Sequence, residues 1–161
     1  MRRDTLTSGL GAAAPELARA CHAMAGRFAR GGRLLAFGEG VAAADAAHVV
    51  VEFAHPVIVG KRALPALRLA DPGTLGLFAE PADIALGILA GGDDRRVVAA
   101  LAAAAAAGLL TVALVGSEAL PGVDHVVAVP SDDPRIVREA HVTAYHVLWE
   151  LVHVFLEAGV A

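Results

Sequence analysis

Gly38-Glu39-Gly40-Val41-Ala42-Ala43-Ala44-Asp45-Ala46-Ala47-His48, running on to Glu52, is the stretch that decides the fold. The apolar run Leu34-Leu35-Ala36-Phe37 precedes it, and a helical pattern follows it. A glycine turn between a buried strand and a helix N-terminus is where α/β proteins bind ligands, usually phosphates. Free backbone N–H groups point outward there. Here the turn carries an acid, Glu39, where a phosphate site would want a neutral donor.

Working outward, the rest of the chain repeats the alternation. The spacing predicts a first helix over residues 12–29, with Leu17, Cys21, Met24 and Phe28 on one stripe and Gly31-Gly32 as its stop. Strands are expected at 33–37, 66–69, 84–89, 109–115 and 126–129, and helices at 42–53 and 95–107. Asp71-Pro72-Gly73 reads as a turn. Gly91-Gly92-Asp93-Asp94 reads as a second glycine turn ahead of a helix. A last long helix begins near Ser131 or Asp132 and reaches about Glu157. Strands alternating with helices through short turns imply a three-layer α/β/α sandwich around a parallel sheet. Right-handed crossovers put both glycine turns at the carboxyl edge of that sheet.

Composition narrows the function. The 161 residues suit one domain, and 57% of them are hydrophobic, too apolar a chain to stay disordered. A net charge of −4 with no basic run argues against nucleic acid as a partner. Cys21 is the only cysteine, which excludes an intrachain disulfide and reads as a small buried apolar residue. Arg2 and Arg3 are followed by polar residues rather than an apolar signal region. Val97–Gly116 runs without a charge for the length of a membrane span, but Gly108 divides it into an alanine-rich helix and a β-branched strand. The expectation is a cytoplasmic protein with no membrane contact. The first and last helices carry apolar residues on more than one face, which predicts that they pack in an oligomer interface.

Two separated segments resemble the sugar isomerase (SIS) family, and within it the phosphoheptose isomerase group. The group's GNGGSAADAQH-x-x-x-E segment is matched here by GEGVAAADAAHVVVE, residues 38–52. Its QE-x-H-x-x-x-x-H segment is matched by REAHVTAYH, residues 138–146. Arg62-Ala63-Leu64-Pro65-Ala66-Leu67 resembles the group's R-x-LPA-I run into the second strand. The resemblance implies a homodimer or homotetramer with sites between subunits, and a proton shuttled between adjacent carbons of a sugar phosphate. It implies Glu52 and His146 as the acid–base pair. It also implies a zinc or other divalent site aligned with His48, Glu52, Arg138 and His146.

The residues depart from that pattern where the chemistry would sit. Glu39 and Ala42 replace the asparagine and serine of the first loop. Leu89-Ala90-Gly91-Gly92-Asp93-Asp94 replaces a serine-rich phosphate loop, so no hydroxyl remains and two acids stand at the helix N-terminus, where they are expected to cap it and occupy the anion site themselves. Each such acid repels a phosphate charge by about 1 kcal/mol in water, and by more when desolvated. Arg138 replaces a glutamine, and a guanidinium does not ligate metal; it is expected to reach Glu52 instead. His48, Glu52 and His146 remain a three-ligand set, with Glu39, Asp93 and Asp94 expected at the same mouth. Gly38, Glu39, Gly40, Asp45, Gly91, Gly92, Asp93, Asp94 and Arg138 are the ligand-binding candidates. His146, Glu150 and His153 follow helical spacing and read as structural, while His55 and His141 stand alone. Between Leu69 and Asp83 there is too little chain for the group's usual helix. The reading this favours is an oligomeric binding or scaffold protein, non-catalytic or with an altered ligand, that takes a sugar-like molecule or a protein partner. An active isomerase using Glu52 and His146, and a metal-binding accessory protein, are the alternatives.

Overall fold

The computed structural model describes residues 2–159, with side chains from residue 9 onward. The elements run α1 (Arg2–Ala29), β1 (Leu34–Gly38), α2 (Ala42–Ala54), β2 (Ala66–Arg68), a 3-10 helix (Pro72–Leu77), β3 (Ile84–Ile88), α3 (Arg95–Ala106), β4 (Leu110–Val115), β5 (His125–Ala128) and α4 (Pro134–Ala158). The five strands form one sheet in the order β2-β1-β3-β4-β5, and every pairing is parallel. Every residue of β1, β3 and β4 is buried, as a parallel sheet covered on both faces requires.

Strand alternation splits the core in two. Leu34, Ala36, Ile84, Leu86, Val112 and Leu114 point to the face covered by α1, α2 and α4. Leu35, Phe37, Ala85, Ala113 and Val115 point to the face covered by α3 and the 3-10 helix. The α/β/α sandwich expected from the sequence is therefore the observed one. At the amino edge, buried Asp83 ties β1 to β3: it accepts from the Arg33 backbone N–H at 2.8 Å, the Arg33 guanidinium at 2.7 Å and the Glu80 N–H at 3.0 Å.

Element boundaries follow local chemistry. Asp133 caps α4 by accepting from the Arg135 N–H at 3.0 Å, with Pro134 in the first turn and left-handed Gly159 closing the other end. The helix thus begins slightly later than Ser131 or Asp132. α1 starts well before residue 12 and runs through Pro15 without a break. The short Leu69–Asp83 connection holds only the 3-10 helix, capped by Asp71 accepting from the Gly73 N–H at 2.8 Å.

The apolar surplus of α1 and α4 is absorbed largely within the chain, because α1 packs along α4 and α2 covers its other flank. Val142, Val147, Leu151 and Phe155 stay half-buried, and Val154 and Val51 are exposed. Among the described residues, no helix is long and apolar enough to cross a membrane.

Candidate functional site

α2 leaves the carboxyl end of β1 toward one face, and α3 leaves β3 toward the other. Divergence of adjacent connections opens a crevice at the carboxyl edge of such a sheet. A cavity of about 390 Å³ lies there, lined by Gly38–Val41 and Gly91–Asp94 with Ala43 and Ala70. The two glycine turns do converge on one cavity. Gly38 makes the approach possible, since a Cβ there would lie 2.8 Å from the Ala42 carbonyl oxygen.

The cavity is poorly equipped for an anion. The Ala42, Ala43 and Ala44 N–H groups of α2 are bonded back onto the carbonyls of Glu39, Gly40 and Val41 at 3.1–3.3 Å. Asp94, at the head of α3, makes no side-chain cap. Burial pushes its carboxyl above the usual carboxylate range; a backbone hydrogen bond from Gly91 opposes this, while the charges of Glu118, Glu39 and Asp93 push it further up. Asp93 is bound by its neighbour Arg95 at 2.6 Å. Arg96 spans the rim, holding Glu39 at 2.8 Å and also Asp71. Both arginines are thus committed to carboxylates.

A second constellation lies on the facing sides of α2 and α4. His48 and Glu52 are one turn apart on α2, with His48 Nε2 3.1 Å from Glu52 Oε1. His146 on α4 brings its Nε2 to 3.7 Å from the same oxygen. Glu52 is 18% exposed, between imidazoles that are 44% and 42% exposed. Donor atoms of the three residues lie within 4.8 Å of one another. Two imidazoles and a carboxylate at that spacing suit zinc in donor type and number.

Three expectations need correction. Glu39, Asp93 and Asp94 line the cavity, but His48, Glu52 and His146 do not, because the cavity wall on α2 ends at Ala43. Arg138 does not reach Glu52; its guanidinium grips Asp45 through two bonds of 2.9 and 3.0 Å. Asp45 is 5% exposed, so this pair clamps α4 to α2 instead of facing a ligand. Asp93 and Asp94 also fall short as caps of α3, the nearer contact being Arg95 N–H to Asp93 at 3.5 Å.

Three other histidines lie outside this cluster. His153 is buried, its nitrogens on the carbonyls of Trp149 and Arg62 at 2.8 and 2.9 Å. His141 is buried with Nε2 on the Val115 carbonyl at 3.1 Å, and burial lowers its pKa. His55 is the exposed end of α2. Cys21 is fully buried, its thiol pushed up to about 12 by desolvation. Sequence reasoning missed Tyr145, taken with the apolar residues of the last helix. Its hydroxyl is 2.8 Å from His48 Nδ1, and its position beside His146 was the available signal.

A doubly wound parallel sheet with glycine turns at its carboxyl edge, flanked by the seam of α2 and α4, defines this as a protein of the SIS fold. Solved phosphoheptose isomerases from Francisella tularensis and Neisseria gonorrhoeae share that fold, with TM-scores of 0.82 and 0.81 at 21% and 18% identity. The first match covers 94% of each chain, the second 94% of this one and 92% of the other. The chain belongs to the phosphoheptose isomerase family. A phosphoheptose isomerase of Solidesulfovibrio magneticus is 36% identical over 160 aligned positions, covering 86% of this chain and 78% of the relative. One of Thermodesulfovibrio yellowstonii is 33% identical over 143, covering 76% and 71%. No protein-family profile matches the chain.

Proposed function

We propose that this chain is an acid–base isomerase of the aldose–ketose type whose substrate presents no phosphate monoester to the Gly91–Asp94 loop. The observation that carries the reading is the Glu52 carboxylate held between His48 and His146 at 3.1 and 3.7 Å. Isomerisation needs one group to take a proton from the carbon beside a carbonyl and another to serve the oxygens, and carboxylate and imidazole both suit proton transfer near neutral pH. The Nδ1 of His146 donates to the Val142 carbonyl at 2.7 Å, so a neutral His146 offers its Nε2 lone pair toward Glu52. Glu52 and His146 are assigned the two acid–base roles.

The cavity sets the substrate class. A hydroxyl or an ammonium can donate to Asp94 and Glu39, whereas a phosphate dianion meets two carboxylates and finds the first N–H groups of α2 already in use. The ligand is therefore a free sugar or amino sugar, one end contacted through Gly38–Gly40 and Gly91–Asp94 and its carbonyl end extending along α2 to Glu52 and His146. His48, Glu52 and His146 would hold a zinc-class ion, whose chemistry there is to polarise a substrate oxygen. The half-buried apolar rows of α4 support assembly into a dimer or tetramer.

The same loop supports a second reading, a non-catalytic binding subunit, because no hydroxyl survives in Ala90–Asp94. A panel of free and phosphorylated aldoses and ketoses separates the two. Turnover of an unphosphorylated member, lost by about 100-fold or more in Glu52→Gln, is the expected result. No turnover of any member leaves the binding subunit standing and ends the isomerase reading.

A further inference from the structure

Resting on the acid–base reading, we infer that Tyr145 is a positioning residue that donates to His48 Nδ1 and so holds the His48 Nε2–H on Glu52. Tyr145 is the chain's single tyrosine. It is 1% exposed, its ring edge-on to His48 at a centroid distance of 5.3 Å. Its hydroxyl is 2.8 Å from His48 Nδ1.

The assignment follows from which partners can donate. A neutral imidazole has one N–H and one lone pair. The carboxylate of Glu52 only accepts, so the 3.1 Å contact requires the proton of His48 on Nε2. Nδ1 is then a lone pair and needs a donor, and the Tyr145 hydroxyl supplies it. That hydroxyl is an ordinary phenol, a donor at neutral pH. The chain of donors runs Tyr145 to His48 to Glu52.

His146 has the opposite arrangement. Its Nδ1 faces the Val142 carbonyl, another pure acceptor, so its lone pair is on Nε2. The two imidazoles flanking Glu52 are therefore unlike: one delivers a proton to the carboxylate, the other offers a base. Glu52 keeps the proton of His48 on Nε2, and without the Tyr145 hydroxyl the Nδ1 lone pair loses its donor and the ring its second anchor. The hydroxyl can also accept, so it would keep His48 ordered if Nε2 were given over to an ion.

The test reads the tautomers directly. Metal-free protein labelled with 15N-histidine is examined at neutral pH by long-range 1H–15N spectra, with His48 assigned by its loss in His48→Gln. Wild type should show His48 protonated on Nε2 and His146 on Nδ1. Tyr145→Phe should move the His48 Nδ1 resonance toward that of a free lone pair, with the Nε2 proton kept, and leave His146 unchanged. A wild-type His48 carrying its proton on Nδ1, or on both nitrogens, overturns the inference without any variant. So does a Tyr145→Phe protein whose His48 Nδ1 resonance does not move. Where turnover is found, Tyr145→Phe should lower kcat roughly 10- to 100-fold, the range seen when a partner orienting an imidazole is removed, with KM little changed. Absent turnover with the expected tautomers sinks the isomerase reading and leaves the positioning role intact.

Discussion

Replacing Gly38 with alanine probes the turn that the fold depends on. The added Cβ would lie 2.8 Å from the Ala42 carbonyl oxygen and 2.9 Å from both its carbonyl carbon and its Cβ. These are atoms of the first residue of α2, so no side chain can swing clear and the helix end must move. Overpacking of this kind costs about 1–3 kcal/mol. The lower entropy of the unfolded chain returns about 0.4–1 kcal/mol. The net loss is roughly 1–2 kcal/mol, or about 2–8 °C in Tm for a chain of this size. Gly40 is the control. It has φ +56° with open space around its missing Cβ, so Gly40→Ala carries only the left-handed penalty of about 1–2 kcal/mol. The two variants therefore lose similar stability for different reasons, and amide spectra separate them. Gly38→Ala should shift resonances along α2 and across to α4, while Gly40→Ala should shift only its own turn. A Gly38→Ala protein as stable as wild type, or with changes confined to the turn, would refute the close-approach argument.

Two further outcomes follow from the polar framework. Burial alone would raise the Asp83 carboxyl, but the Arg33 side chain and the N–H groups of Glu80 and Arg33 outweigh it and hold the pKa below the ordinary value. Its contribution is present above the unfolded carboxylate value, about 4, and is lost as pH falls through the lower folded one. Asp83→Asn should lower stability at pH 7 by about 1–3 kcal/mol and flatten the acid limb of a Tm-against-pH curve; an unchanged limb contradicts this assignment. Zinc at one hundred times its dissociation constant should add about 2.7 kcal/mol to metal-free, tag-free protein, and His146→Ala should abolish the gain. A wild-type protein indifferent to millimolar zinc removes the metal from the account.

The alternation of strands and helices was legible because it rests on local rules: apolar runs, glycine stops and alanine-rich stretches place most boundaries within a residue or two. The gathering of His48, Glu52 and His146 was legible too, through helical spacing and the resemblance of two segments. What spacing could not convey was which carboxylate each guanidinium would choose. Arg138 goes to Asp45 because both face the α2–α4 seam, and Arg96 reaches across the cavity rim to Glu39 because two connections converge there. These are tertiary choices among several possible partners. Tyr145 was hidden for a related reason, since a tyrosine on a helix stripe reads as core until its hydroxyl is seen to meet a histidine from another element.

On the proposed function, Glu52 and His146 move a proton on a sugar bearing no phosphate. Deuterium incorporation tests it most directly: metal-free and zinc-loaded protein is incubated in D2O with free heptoses and hexoses, their amino derivatives and their phosphates, and label is followed at the carbon beside the carbonyl. The account predicts label in an unphosphorylated member with wild type, and none with Glu52→Gln of matching Tm. Label confined to phosphorylated members would contradict the assignment of the acidic loops, and label that persists in Glu52→Gln would contradict the acid–base assignment itself.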